Sequence, residues 1–280
     1  FLTRMFDPND YREQIQQAAR DQANVELTLG GEIGWSLFPW MGIELRDVGV
    51  APLEQPDQPL ARIGNLGLGI EVMPLLRREL RMSDVIVDSV QLSLLIDEQG
   101  RANWESLGAA PSDAAEVAAA GQATEPAPAD GSEAASDLRI AIASVRVTNA
   151  QVEFVDRQGG QRLTVRDANL SSGALVPGEP VALALQGLLV VDEPALRSRF
   201  DLKTVMTFDS GLQRYQLQGL DLQLDSSGDL FAGRTAALRL QGDIDYDGVV
   251  GVAEVAQIRL ALNDLRASGS VRATDLAAAM

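Results

Sequence analysis

Cysteine and histidine are both absent from the 280 residues. Without cysteine there are no disulfides and no thiolate metal sites, although that absence leaves the compartment open. Without histidine the chain lacks the side chain best suited to proton transfer near neutral pH, and the commonest zinc ligand. Aromatics are scarce at 5%, and Lys203 is the single lysine, so arginine supplies the remaining basic groups. A GC-rich coding bias accounts for that preference. No apolar run reaches the roughly 18 residues of a membrane-spanning helix. The net charge of −17 disfavours nucleic acid and anionic bilayer headgroups as partners. What is present is 46% hydrophobic residues, enough for one large domain or two smaller ones with genuine cores.

Asp7-Pro8-Asn9-Asp10 reads as a helix start, with Asp7 as N-cap and Pro8 in the first helical position. Tyr11, Ile15, Ala18 and Ala19 follow at helical spacing, which predicts a short capping helix ending near Gln22. From Val25 the period changes to two. Val25, Leu27 and Leu29 alternate with polar residues before Gly30-Gly31, and Ile33, Trp35, Leu37, Met41, Ile43 and Leu45 continue the alternation. These are half-buried strands joined by short turns.

A finer pattern recurs along the strands: an apolar series, two residues that break its phase, and a resumed series. The breaks fall at Arg46-Asp47, Gly64-Asn65, Asp88-Ser89, Thr148-Asn149, Arg166-Asp167, Gln218-Gly219 and Asn263-Asp264. Strict alternation would send the downstream apolar residues to the other face. A bulge restores the face and bends the strand. The second residue is Asp, Asn, Ser or Gly each time, types that tolerate bulge and turn dihedrals. Tight hairpin turns would account for one or two of the breaks. Seven of them favour a repeated, strongly bent sheet.

Two units align residue by residue: VIVDSVQLSLLIDEQG from Val85 and VRVTNAQVEFVDRQGG from Val145. YQLQGLDLQLDSSG from Tyr215 keeps the same order of strand, break, strand and glycine turn. A repeated strand unit of this kind builds an elongated architecture. The expected organisation is a helix over 1–24, a first β region over 25–107, a flexible Ala/Pro-rich linker over 108–137 and a continuing β region over 138–280. Phe1-Leu2-Thr3-Arg4-Met5-Phe6 reads as the tail of a membrane helix removed upstream.

GGEIGWSLFPWMGIELRDVGV from Gly30 and ARIGNLGLGIEVMPLLRRELRMSDVIVDSVQLSLLIDEQGRANW from Ala61 resemble the N-terminal region of the AsmA family of bacterial envelope proteins. IASVRVTNAQVEFVDRQGG from Ile142 is similar to the family's second block. The resemblance covers roughly the first 160 residues with distinctive motifs, and beyond them it is one of strand rhythm. It implies a periplasmic body anchored in the inner membrane by one N-terminal helix. It also implies a mainly β fold, an elongated, bent antiparallel sheet whose apolar face forms a groove (a β-taco). The implied role is outer-membrane biogenesis and phospholipid movement between the membranes. The resemblance transfers no catalytic residues.

The groove candidates are Leu66, Leu68, Ile70, Val90, Leu92, Leu94, Val152, Phe154, Leu220 and Leu222. They would hold a phospholipid or other acyl-chain lipid without any cofactor. An ordinary closed core is the competing reading of the same alternation. For function, the competing class is a scaffolding module that assists outer-membrane protein assembly through protein contacts.

Asp243, Asp245, Asp247, Gly248 and Glu254 satisfy the spacing of an EF-hand calcium loop. The flanking Leu238, Leu240, Ile258, Leu260 and Leu262 alternate like strands, so a strand ending in an acidic turn explains the same residues. Asp97/Glu98 and Asp221/Asp225 have the chemistry of acid–base pairs, but their positions at turns and on polar strand faces read as solvated. Gly64-Asn65-Leu66-Gly67-Leu68-Gly69 lacks the strand-to-helix transition of a phosphate loop.

Overall fold

The fold is described by a computed structural model covering residues 8–36, 42–70, 82–107, 142–209, 211, 213–232 and 234–273. The expected N-cap Asp7 and the 108–137 linker lie outside the described residues. A 3-10 turn, Pro8–Tyr11, leads into helix α1, Arg12–Ala23, which ends on Asn24 in the left-handed region at φ 54°. No helix among the described residues is long and apolar enough to cross a membrane.

All the described strands after the helix join one sheet. Its strands are β1 (Val25–Leu29), β2 (Gly34–Ser36), β3 (Gly42–Pro52), β4 (Ala61–Ile70), β5 (Met82–Ile96), β6 (Ile142–Asp156) and β7 (Gln161–Ser172). They continue as β8 (Val181–Val191), β9 (Leu196–Phe208), β10 (Arg214–Gly228), β11 (Thr235–Asp247), β12 (Val252–Leu262) and β13 (Leu265–Ala273). From β3 onward each strand pairs with the next in sequence, while β1 and β2 lie end to end along the free edge of β3. The chain is an open, bent meander.

One pair departs from the antiparallel expectation: β5 and β6 run parallel. Their register matches Val85 to Val145, Leu92 to Val152 and Ile96 to Asp156, which is the alignment of the sequence repeat itself. Two strands that point the same way need a long return connection, and residues 97–141 supply it. Equivalent positions of the two copies also bond to each other: Ser144 Oγ donates to Asp84, and Thr148 Oγ1 donates to Asp88.

The breaks read from the sequence fall on a line across the sheet. Asp47, Ser89, Asn149, Asp167 and Gly219 all have φ between 51° and 60°, and Gly64 sits on that line between β3 and β5. In β8 the line passes Gly187, where a Cβ would come within 2.7 Å of the Phe200 ring. A larger residue there would have to displace that ring. Gln257, at φ 53°, continues the line in β12, where the register shifts between Val255 and Ile258. The seventh expected break, Asn263-Asp264, is instead a two-residue hairpin joining Leu262 to Leu265. Left-handed residues suit both features, which is why one sequence signal served for two geometries.

The core sits at the helix end of the sheet. Leu29, Ile33, Leu45 and Val48 are buried together, with Ile15 of α1 packed against them. The helix also covers the β1 edge with polar groups. The Arg12 guanidinium donates to the Leu29 and Gly31 carbonyls, and Gln16 Nε2 donates to the Leu27 carbonyl at 2.8 Å. Arg20 pairs with Glu26 through two 2.8 Å contacts. Carbonyls that an edge strand would leave to solvent or to another chain are thereby satisfied.

Candidate functional site: the apolar face

Paired residues in neighbouring strands project to the same side of a sheet, so the register fixes which side chains share a face. Starting at Leu45, direct partners run Leu45, Leu66, Val87, Val147, Leu170, Leu185, Leu202, Leu222, Leu240, Leu260 and Ala267. This row crosses strands β3 to β13 and contains nothing but aliphatic side chains. At about 4.8 Å per strand it extends roughly 48 Å along the sheet.

The groove candidates fall in this row or beside it. Leu66 stands opposite Val87, and Leu68 opposite Val85. Val90 faces Ile63, and Leu92 faces both Ala61 and Val152. Leu94 pairs with Phe154, Leu220 with Gly242 and Leu222 with Leu240. Ile70 closes β4 opposite Met82 in the backbone register. Apart from Ile70, whose side chain is outside the described set, the candidates are half-buried. They have neighbours on their own sheet, and among the described elements no second sheet layer packs over them. At one end of this face the Trp104 ring packs on Phe154, centroids 6.3 Å apart.

Hydroxyls also occur on this face, and those of Ser172, Ser198, Thr204 and Ser226 are bonded within the protein. Ser198 and Ser226 pair at 2.8 Å, Thr204 Oγ1 donates to the Gln218 carbonyl, and Ser172 Oγ donates to the Gly173 carbonyl. The face therefore offers aliphatic contact area, and its buried hydroxyls have spent their hydrogen bonds internally. It is an open bed. A depression of about 320 Å³ is lined by Val147, Leu170, Leu185 and Leu202 of the row together with polar neighbours such as Arg146, Gln186, Asp201 and Lys203.

The carboxylates singled out in the sequence have structural duties. Asp97 accepts from the Gln99 and Arg101 amides and from Arg101 Nε, and these contacts, with the Arg101 charge, hold its carboxyl below the usual range. Asp221 is held down by the Arg239 guanidinium, which grips both of its oxygens. Groups kept ionised in this way are poor proton donors. Asp243 accepts from the Gly219 amide at 2.8 Å and Asp245 from Gln216 Nε2 at 2.6 Å. Asp247 accepts from the Val249 amide at 3.0 Å and pairs with Arg214 at 2.9 Å. Glu254 lies opposite Asp245 on β12. Extended strand thus replaces the coil that an EF-hand wraps around one ion. Among the described residues, no group of three or more His, Cys, Asp or Glu is placed to hold a metal.

A model of the AsmA family matches residues 1–277. The chain belongs to the AsmA family. Over 93 residues, 33% of the chain, it is 25% identical to Protein AsmA of Escherichia coli (strain K12). That stretch spans 15% of the length of the relative. No solved structure matches. The AsmA-type blocks recognised in the sequence lie in β2 to β6, where the left-handed positions Asp47, Ser89 and Asn149 recur. Arg12 and Gln16, which close the β1 edge, carried no signal in the sequence, because their role depends on where the β1 carbonyls fall.

Proposed function

We propose that this AsmA-family chain is a lipid-handling module of the bacterial envelope. In this reading it is the periplasmic part of a protein anchored in the inner membrane. Its apolar sheet face holds acyl chains and contributes to phospholipid movement between the membranes and to outer-membrane biogenesis. The observation that carries the reading is the aliphatic row from Leu45 to Ala267, uninterrupted by any polar side chain. Burial of acyl methylenes, about 0.8 kcal/mol each, supplies the affinity without a covalent step or a cofactor. The serine and threonine hydroxyls along that face are already bonded, which leaves few directional groups for headgroup selection, so discrimination among headgroups is expected to be weak.

The test is organic extraction of the purified protein followed by mass spectrometry. Co-purifying phospholipid is expected, with a several-fold loss in Leu222→Glu, which sets a charge in the middle of the row. Lipid-free protein that instead retains stable protein partners on pull-down would replace this reading with the scaffolding one.

A further inference from the structure

The hairpin joining β11 to β12 stands apart from the other exposed turns. Val249 and Val250 at its tip are 58% and 61% exposed and adjacent. Exposed apolar residues scattered singly are ordinary on a protein surface, but a contiguous pair on a projecting turn is not. The turn is also built to be neutral and dry. Asp247 accepts from the amides of Val249 and Val250 and spends its charge on Arg214, while the Gly248 amide donates to the Gln213 carbonyl at 2.8 Å. Gly251 makes the return at φ 64°. Moving this tip out of water therefore leaves no free charge and few unanswered amides.

Behind the valines, Tyr246 and Tyr215 stack with centroids 4.7 Å apart, and Phe208 is the register partner of Tyr215. Tyrosine, apolar in body and polar at its tip, suits the boundary between water and hydrocarbon. The opposite strand ends differ. Leu230 and Leu265 are exposed there singly, next to Asp229 and Asp264, and the other connections carry Arg157-Gln158 and Asp192-Glu193.

We infer that the Val249-Val250 hairpin tip, backed by Tyr215 and Tyr246, inserts into the interfacial region of a zwitterionic phospholipid bilayer. Charge decides the lipid class. The chain carries −17, and Asp243, Asp245 and Glu254 lie close to the tip, so an anionic surface repels it. Tyr215 and Tyr246 lie on the side of Leu222 and Leu240, so the tip stands at one end of the apolar face, but its insertion does not require that face to hold acyl chains.

The absence of native cysteine makes the test direct. An environment-sensitive fluorophore is placed through Val250→Cys or, as the opposite-end control, Leu230→Cys, and phosphatidylcholine/phosphatidylethanolamine vesicles are added. A blue shift is expected at position 250 and none at position 230. The unlabelled double variant Val249→Asp/Val250→Asp should float with these vesicles roughly tenfold less than the parent, with unchanged circular dichroism. Four results would overturn the inference: no shift at position 250, an equal shift at 230, stronger binding to phosphatidylglycerol vesicles, or a vesicle-independent shift that grows with protein concentration. The last would mean a second copy covers the tip. None of these readouts depends on co-purified lipid, so failure here is distinguishable from failure of the lipid-handling role.

Discussion

Strands β1 to β3 and strands β9 to β13 use the same kinds of side chain in the same alternation, yet only the first group buries them. Val25, Leu29, Leu45, Val48 and Ala51 are all below 9% exposure, whereas Ala236 is the one buried hydrophobic residue of β9 to β13. The difference lies in what covers the sheet. Helix α1 lays Ile15 against the first corner and ties down the β1 carbonyls with Arg12 and Gln16. No described element covers the later strands, and Leu265 and Val271 of β13 remain 72% and 59% exposed. Periodicity alone thus specifies which residues share a face. Whether that face becomes a core depends on a partner layer.

The largest test of this contrast compares two leucines of the same row. In lipid-free protein, Leu45→Ala should cost about 3 kcal/mol in urea unfolding, because it empties a closed site. Leu240→Ala, half-buried on the open stretch, should cost about 1 kcal/mol. Equal losses would mean the later strands are covered in solution. Next in size is Arg12→Ala, which removes charge-assisted bonds to two backbone carbonyls and should cost about 2 kcal/mol. The uncovered β1 edge should also raise concentration-dependent association, read by analytical ultracentrifugation.

The smallest expected effect concerns the β5–β6 ladder, which lies between the two regions. The hydroxyls of Thr148 and Ser89 and the Asn149 amide hold the Asp88 carboxyl below the usual range. A depressed carboxyl contributes stability that is present above its unfolded value, near pH 4, and is lost as pH falls through the folded one. Stability of the parent should therefore decline on acidification below about pH 4 more steeply than that of Asp88→Asn. Coincident acid curves would assign the decline to other groups.

Much of this geometry is readable in the residues. Period two marks the strands, and Asp47, Ser89, Asn149, Asp167 and Gly219 mark the points where the phase resets, because few other residue types enter the left-handed region cheaply. Gln257 enters it without belonging to that set, so the β12 break was hidden. Gly187 shows its constraint only when Phe200 arrives from the next strand. The parallel direction of β5 and β6 was also invisible, since a repeated strand alternates identically whichever way its neighbour runs. Membership of the apolar face was legible for Leu66, Leu92 and Leu222. The edge-closing task of Arg12 was not, since it depends on backbone atoms 17 and 19 positions away.

The parallel, in-register pairing of the two repeat copies makes each repeat position its own neighbour. Identical copies would set aspartate against aspartate at 84/144 and again at 88/148, four like charges along one seam. Instead one copy supplies carboxylates at Asp84 and Asp88, and the other supplies hydroxyls at Ser144 and Thr148. The two segments are therefore not interchangeable. Grafting the first over the second would preserve the apolar alternation and still break the seam, so their divergence at these positions is what lets a duplicated strand lie beside itself.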